Sequence, residues 1–471
     1  MSIVSVKIHP AIGVARLGNS DEFFVGPERP LERPEPPGGF KDTQRRIKRQ
    51  AARFRLFAYY DDGSTKEITT AEAEITWTVH LANRKAIGRN SDASPEALTI
   101  DPGPRTLNGP DQQQTFNTGQ IAFSGLNPVV VPLGEIRTES DGRLLVLSST
   151  ENSASPYTPP KRLSNYLDNP GWYDTSADGP VSAHIKLNTG EEIDAVGAWV
   201  IVTPPKYAPQ IDNVITLYDR IFEMGAEKNW HAGPARPSYT QDIYPILSSA
   251  SNTRWVQRNA AGSHRWQEPV YEQNLREWVF GKLATPDRVD TDTEAPALNG
   301  NMPLLAGNAR LTGTQYEVMR KWKDNLFDRD WNGPPQIPVD ITPQGIDSAA
   351  LENCVGAAFF PGIEAGGIVK QPIVDPDNYL GPSDPMRLDH TKVIPGGITE
   401  FMALPWQADF RDCAMSWWPV PRPNQVIPEG QENYVEWDRG IGNYRSMVEN
   451  WTKLGFVVKQ GDRYVETERD L

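Results

Sequence analysis

The stretch FRLFAYYDDGSTKEITT, from Phe54 to Thr70, holds two runs of β-branched and aromatic residues around Asp61–Asp62–Gly63. Runs of this kind favour extended strands, and an Asp-Gly pair between them is a strong local signal for a hairpin. The stretch therefore predicts two antiparallel strands joined by a tight turn.

The same pattern of strands and turns extends through the first half of the chain. The further predicted strands are SIVSVKI, AEITWTVHL, PVVVPLG, RLLVLSS and AVGAWVIV. The segment 29–39, RPLERPEPPGG, is too rich in proline for a helix or a central strand, so we expect it to form an extended surface loop.

After Pro204 and Pro205 the apolar residues recur with a helical period. The predicted helices are IDNVITLYDRIFEMG, TQDIYPILSSA, EQNLREWVFGKL, TQYEVMRKWKDNLF, DSAALENCVGAA and YRSMVENWTKLG. The sequence thus predicts an α+β protein with a β-rich amino-terminal half of antiparallel sheets, residues 1–205. Residues 206–471 form a mixed helical and loop-rich half, either as a second domain or as part of one compact unit.

Charge and hydropathy exclude several classes of protein. Lys and Arg number 47 against 61 Asp and Glu, a net charge of −14, which disfavours binding to nucleic acid or to an anionic membrane. No window approaches the roughly 20 apolar residues of a membrane span, and the start lacks the apolar core of a signal peptide. We expect a soluble protein, cytoplasmic or exported without a recognisable signal.

The cysteines and histidines do not predict a metal site. The two cysteines, Cys354 and Cys413, are too few for a disulfide framework or a thiolate-rich cluster, although one bridge between them stays open. The six histidines contain no closely spaced pair. Phosphate-binding glycine loops and the GxSxG motif of serine hydrolases are absent from the sequence as well.

The segment PWQADFRDCAMSWWPVPRP, residues 405–423, places unusual residue types together. Asp409, Cys413 and Trp417 are spaced by four, which on a helical turn brings them to one face. The alternative is structural: Cys413 is a small buried apolar residue, Trp417 and Trp418 are core aromatics, and Asp409 caps a helix. Local pattern alone favours this alternative.

Several long motifs occur in order along nearly the whole chain. They are IHPAIGVARLGNS from Ile8, AWVIVTPPKYAP from Ala198, SYTQDIYPIL from Ser238, FFPGIE from Phe359, PWQADFRDC from Pro405 and WWPVPRP from Trp417. In these motifs the chain resembles the LodA-like family, the group of L-lysine ε-oxidases and glycine oxidases. The resemblance implies a quinoprotein that oxidises the primary amine of an amino acid through a self-derived cysteine tryptophylquinone.

Position by position, the resemblance assigns the cofactor cysteine to Cys413 and the acid four residues earlier to Asp409. The tryptophan of the cofactor would be Trp417 or Trp418, across an unusually short connection. The four-residue spacing favours Trp417, but Trp418 stays open because a residue before proline is disfavoured in a helix.

The chemistry of such a site explains the residue types. A quinone carbonyl is an electrophile for the substrate amine and an electron sink for the neighbouring C–H bond, and Asp409 would take the proton. The products would be an aldehyde or oxo acid, ammonia and, with dioxygen, hydrogen peroxide. The resemblance also implies a flavoprotein partner that matures the quinone, and a homo-oligomer.

One departure concerns the substrate. Many relatives carry a histidine where FFPGIE has Phe360, so the pocket is expected to be more apolar and to suit a larger or aromatic amine. The alternatives are a different oxidation on the same scaffold, such as hydroxylation, and a non-catalytic β-rich binding protein.

Three further residues have a functional and a structural interpretation. Arg422 is a candidate to bind a substrate carboxylate through its guanidinium, although a core salt bridge explains it as well. His9 in the IHPAIG motif is expected to cap a structural turn. Cys354 lies in an apolar segment and is expected to be a buried, inert thiol.

Overall fold

A thirteen-stranded mixed sheet dominates the computed structural model, which describes residues 2–262, 269–286, 302–303, 310–356, 376–412 and 419–471. Fifteen strands precede residue 204: β1 (Ile3–His9), β2 (Ile12–Arg16), β3 (Phe23–Val25), β4 (Arg49–Tyr60), β5 (Thr65–Ile68), β6 (Ala73–Val79), β7 (Arg105–Asn108), β8 (Gln113–Thr115), β9 (Gln120–Ile121), β10 (Val129–Val130), β11 (Gly134–Thr138), β12 (Leu144–Ser148), β13 (Ala177–Leu187), β14 (Glu192–Asp194) and β15 (Ala198–Thr203). The main order is β7-β6-β13-β15-β2-β4-β12-β11-β8. Strands β1, β3 and β5 also pair with β4, and β14 pairs with β13.

The hairpin predicted at Asp61–Asp62–Gly63 is confirmed. Strands β4 and β5 pair antiparallel, with Tyr59 opposite Thr65. The N–H of Gly63 donates to the carbonyl of Tyr60 at 3.0 Å, and Gly63 has a φ of +83°, a conformation that glycine adopts without strain.

The sequence predicted antiparallel sheets, but the observed sheet is mixed. Strand β15 runs parallel to β2, and β3 runs parallel to β4. Each parallel pair joins strands that are distant or separated by a long loop, and local patterning does not reveal that direction.

Strand β13 lies near the centre of the sheet but is absent from the predicted strands. It contains Gly179 and Pro180, which normally argue against a central strand. A Cβ atom on Gly179 would lie 1.7 Å from the carbonyl oxygen of His80, so glycine is required where the two backbones meet. The carbonyl of Pro180 accepts the N–H of His80 at 3.2 Å.

Most of the helices follow the fifteen amino-terminal strands, as predicted, but α1 lies between β6 and β7. The helices of the described residues are α1 (Pro95–Leu98), α2 (Leu217–Glu227), α3 (Tyr244–Asn252), α4 (Gln273–Phe280), α5 (Gly313–Lys323), α6 (Pro343–Glu352), α7 (Trp406–Asp412) and α8 (Tyr444–Asn450). Short two-stranded sheets accompany them, formed by β16 (Gln425–Val426) with β17 (Val435–Glu436) and by β18 (Phe456–Gln460) with β19 (Arg463–Thr467). The predicted α+β class is therefore confirmed.

Helix α2 begins six residues later than its apolar period suggests. The side chain of Thr216 accepts the N–H of Asp219 at 3.1 Å, and the carboxylate of Asp219 accepts the N–H of Thr216 at 2.7 Å. This capping box fixes the start of the helix. The predicted stop at Gly225 is wrong, because the helix continues to Glu227.

The largest apolar core contains residues from both halves of the chain. Tyr207, just after the predicted boundary at residue 205, packs on Phe410, Trp437 and Phe456, and its hydroxyl donates to the carbonyl of Trp451 at 2.6 Å. The division at residue 205 stays a prediction. None of the helices in the described part of the chain is long and apolar enough to cross a bilayer.

Candidate active site

Helix α7 carries Asp409 in its first turn, at the centre of the segment that the sequence singled out. The five residues from Trp406 to Phe410 are all buried, and the side chain of Asp409 is 1% exposed. The chain enters α7 along a fixed path, since the N–H of Leu404 donates to the carbonyl of Leu167 at 2.9 Å. Asn169 holds the carbonyl of Leu404 at 3.0 Å.

A buried ion pair anchors the amino-terminal end of α7. One carboxylate oxygen of Asp174 accepts the N–H of Trp406 at 3.1 Å and also pairs with the ammonium of Lys85. Both charged side chains are 0% exposed. Since the first N–H groups of a helix have no partner within the helix, Asp174 satisfies one of them.

Lys85 also lies within electrostatic range of Asp409. Burial lowers the pKa of Lys85, while the charges of Asp174 and Asp409 oppose that effect and favour the ammonium. Lys85 thus has Asp174, Asp409 and a second cation, Arg89, in its electrostatic surroundings. Charges interact more strongly in a buried environment than in water.

The opposite side of α7 is held by amide and hydroxyl groups. Gln407 accepts from the hydroxyl of Ser153 at 2.7 Å and donates to the Oδ1 atom of Asn152 at 3.0 Å. The same Asn152 oxygen accepts the indole N–H of Trp451 at 2.9 Å. The ring of Trp406 packs edge-on against Trp451, with centroids 5.2 Å apart. Trp406 is thereby a core residue.

Arg422 lies beyond the segment 413–418 and reaches back to α7. Its guanidinium donates to the carbonyl of Phe410 at 2.6 Å, to the carbonyl of Pro423 at 2.6 Å and to the carboxylate of Asp438 at 2.8 Å. It also lies over the ring of Trp437, 5.1 Å from the centroid. These contacts form the core salt bridge that was the alternative to carboxylate binding. The substrate role of Arg422 stays a prediction.

Four of the predicted site residues, Cys413, Trp417, Trp418 and Phe360, lie outside the described residues. The structure describes the chain on either side of the segment that contains Cys413, Trp417 and Trp418. Because Arg422 donates to Phe410, the residues that precede Cys413 and those that follow Trp418 are bonded to each other. In sequence, the segment 413–418 thus lies between helix α7, which carries the buried Asp409, and a flank that Arg422 hydrogen-bonds back to that helix.

His9 makes structural contacts, but its ring bonds two side chains and does not itself cap the turn as expected. Its Nδ1 atom lies 2.9 Å from a carboxylate oxygen of Asp347 on α6, and its Nε2 atom lies 3.0 Å from the hydroxyl of Tyr59. Asp347 also accepts the N–H of Ala11 at 2.6 Å. The ring therefore ties β1 and the turn after it to helix α6.

Cys354 is buried and is not in a disulfide, so the bridge to Cys413 that the sequence left open is not formed. Its thiol donates to the carbonyl of Ala350 at 3.5 Å. Arg16 holds the end of the same helix, because its guanidinium donates to the carbonyl of Asn353 at 2.9 Å. Arg16 and Cys354 thus join α6 to strand β2.

Sequence reasoning missed the pair of Lys85 and Asp174. The two residues are 89 positions apart, and neither belongs to a recognisable motif. Such a pair is identified by the burial of both residues. The neighbours of a single lysine in a loop do not predict that the lysine is buried.

Family models and known proteins match the chain over most of its length. The model described as L-lysine epsilon oxidase N-terminal matches residues 9–96 and 88–202, and the one described as L-lysine epsilon oxidase C-terminal domain matches residues 296–437. L-lysine 6-oxidase from Marinomonas mediterranea is 24% identical, over 99% of this chain and 90% of that protein.

Solved structures with the same fold come from the same organism. The chain is similar to the Schiff base intermediate of L-Lys epsilon-oxidase with L-Lys, with a TM-score of 0.79, 22% identity and coverage of 99% of this chain and 95% of that one. A second structure of the epsilon-lysine oxidase gives a TM-score of 0.76 at the same identity and coverage. At this identity the likeness establishes the fold.

Proposed function

The chain belongs to the LodA-like family and is an amino-acid oxidase, and we propose that it oxidises a primary amine through a cysteine tryptophylquinone built from its own side chains. The observation that carries this proposal is the position of Asp409. It is buried in α7 beside Lys85 and four residues before Cys413. Asp409 lies within helix α7, three residues after its first residue, and so is not the N-cap of that helix.

The residues present fit the cofactor. Cys413 supplies the sulfur, and Trp417 or Trp418 supplies the ring, within a segment whose flanks are joined by the bond from Arg422 to Phe410. When formed, the quinone would supply an electrophilic carbonyl for the amine and accept two electrons from it.

Asp409 is the proton acceptor in this proposal. Its carboxylate takes the proton from the substrate carbon that bears the nitrogen. Asp409 is buried in α7 together with Trp406 and Phe410, so bulk water has little access to its carboxylate. Overall, one amine, one water and one dioxygen give one aldehyde or oxo acid, one ammonia and one hydrogen peroxide.

The substrate is a primary amine of an amino acid or a related metabolite. L-lysine, on which the similar oxidase acts, is the first amine to test. Phe360 in place of the histidine of many relatives favours a more apolar amine, because phenylalanine neither donates nor accepts a proton. We assign Arg422 to holding the flanks of the site, since its guanidinium already bonds Phe410, Pro423 and Asp438.

Maturation requires an oxidant, for which we propose a flavoprotein partner, and we propose assembly into a homo-oligomer as in relatives.

A second candidate function is a different oxidation on the same scaffold, such as hydroxylation. The presence of Phe360 and the short spacing from Cys413 to the tryptophans favour it.

Intact mass of the denatured protein tests the proposal. The chain is co-expressed with a candidate flavoprotein partner, and peptide mapping follows. We expect oxygen gained, hydrogens lost and a thioether crosslink from Cys413 to one tryptophan, together with peroxide on addition of amines. A reduced thiol and two intact indoles in fully matured protein would exclude the proposal. A crosslinked quinone that yields no peroxide with any amine would favour the second candidate.

A further inference from the structure

Three carbonyl groups in the segment that leads into α7 accept hydrogen bonds from side chains elsewhere in the chain. Arg89 donates to the carbonyl of Glu400 and to that of Met402, each at 3.0 Å. Asn169 donates to the carbonyl of Leu404 at 3.0 Å. Side chains therefore fix the path of the main chain over the last residues before the helix.

The guanidinium of Arg89 joins three separate parts of the chain. Besides the two carbonyls before α7, it donates to the carboxylate of Asp168 at 2.6 Å and to the carbonyl of Lys85. The side chain of Arg89 is 8% exposed. A guanidinium presents five N–H groups in a planar fork, whereas a lysine ammonium is a compact charge that cannot reach acceptors spread in this way. The arrangement of acceptors therefore suits arginine and not lysine.

The loop that carries Arg89 also carries Lys85. The ammonium of Lys85 pairs with Asp174, and Asp174 accepts the N–H of Trp406 at 3.1 Å. The loop and the start of α7 are thus joined twice, through the carboxylate of Asp174 and through the guanidinium of Arg89. Two connections a few residues apart restrict rotation as well as translation of one segment relative to the other.

The start of α7 matters because Asp409 lies in the first turn of that helix. A proton acceptor must come within hydrogen-bond reach, about 2.6–3.2 Å, of the atom that gives up its proton. Misplacement of a catalytic group by about 1 Å can lower the rate about a hundredfold. Groups that hold the main chain before Trp406 therefore affect proton transfer at Asp409, although they lie outside the helix.

We propose that Arg89 is a positioning residue for proton transfer to Asp409. It acts through the carbonyls of Glu400 and Met402, which set where α7 begins. The inference rests on the proposed role of Asp409 and adds the group that holds its helix in place. An arginine with a structural role alone would stabilise the fold but would not affect kcat of the folded, mature enzyme.

The substitution Arg89→Lys tests the proposal in the mature protein. It keeps a positive charge beside Asp168 but lacks the fork that binds the carbonyls. With the best amine, kcat per quinone should fall at least about tenfold, while KM should stay within about twofold of the wild type. Arg84→Lys is the matched control, because Arg84 lies in the same loop and donates to the carboxylate of Glu400 rather than to its carbonyl. Its kcat per quinone should stay within about twofold of the wild type.

Hydrogen exchange of the same two variants tests the position of α7 without turnover. In Arg89→Lys the N–H groups of Leu404 and Trp406 should exchange at least about tenfold faster than in the wild type, because loss of a charged hydrogen bond loosens the segment that carries them. The N–H of Ile8 in β1, which donates to the carbonyl of Val196 at 3.1 Å, should exchange at the wild-type rate. Equally faster exchange at all three positions would show general destabilisation and would overturn the proposal.

Two further results would overturn the proposal: an unchanged kcat per quinone in Arg89→Lys, or an equal loss in Arg84→Lys. A wild type that carries no quinone would instead refute the proposed function. The exchange rates of Leu404 and Trp406 would then still show whether Arg89 holds the start of α7, so the two failures are distinguishable.

Discussion

The carboxylate of Asp174 accepts the N–H of Trp406 at 3.1 Å and thereby fixes the start of the helix that carries Asp409. The same oxygen pairs with the buried ammonium of Lys85. One carboxylate thus links the main-chain position of α7 to the charge balance around Asp409.

Substitution of Lys85 by methionine should strongly destabilise the protein. The charge of Asp174 would then be buried without a counter-ion, which typically costs about 3–5 kcal/mol. The free energy of unfolding in urea measures this loss. Arg445→Met, which breaks the exposed pair with Glu449, is the matched control and should change stability by less than about 1 kcal/mol. Equal effects of the two substitutions would contradict a buried role for Lys85.

Substitution of Asp409 by asparagine should remove the proton acceptor while keeping the shape of the side chain. We expect kcat/KM for the best amine to fall by about 10²–10⁴-fold, or the quinone to form incompletely. Steady-state peroxide assays and intact mass together distinguish the two effects. Asp412→Asn on the same helix, an exposed acid bonded to Tyr444, is the control and should retain activity. Full maturation and full activity of Asp409→Asn would refute the proposed role.

Substitution of Arg422 by lysine separates the two interpretations of this residue. If Arg422 positions the site, the variant should mature poorly and lose kcat equally for L-lysine and for 1,5-diaminopentane, which lacks a carboxylate. If Arg422 binds the substrate carboxylate, only L-lysine should show a raised KM. The ratio of kcat/KM for the two amines is the measurement, and we expect it to stay constant.

Asp178 should make a contribution to the free energy of unfolding that is largest at acidic pH. This residue is fully buried and accepts from Thr399, Ile398 and Trp199, and burial raises its pKa from 3.8 to about 6. The folded state therefore binds the proton more tightly than the unfolded state does. The stabilisation is complete below pH 3.8 and is lost as the pH rises through about 6.

The measurement is the difference in unfolding free energy between the wild type and Asp178→Asn across this range of pH. The advantage of the wild type should shrink by about 2 kcal/mol from pH 4 to pH 7. A constant difference would show that Asp178 does not titrate there.

Local signals explain which parts of the fold the sequence predicted. The hairpin at Gly63 and the helices of the second half depend on neighbours within a few residues, so turn chemistry and apolar period were sufficient. Strand β13 was missed because Gly179 and Pro180 are poor strand formers, and only the close approach of His80 explains them. Tertiary contacts there override local preference.

The same distinction between local signals and tertiary contacts applies to the residues of the candidate site. Asp409 stood out because it lies in a motif together with Cys413. Lys85 and Asp174 lie in no motif, and their importance arises from burial and from partners that folding brings from elsewhere in the chain. The start of α2 could have been predicted from the sequence, because Thr216 and Asp219 have the spacing of a capping box. It was missed because the apolar period begins earlier, at Ile211.

The bond from Arg422 to Phe410 closes a ring of chain whose ends are only 12 positions apart. The entropic cost of closing this short loop is part of the folding free energy. In the proposed maturation, a sulfur and an indole within the loop would therefore react at a high effective concentration. A maturation enzyme acting on this protein would then need to remove electrons and deliver oxygen, but not to bring the two side chains together.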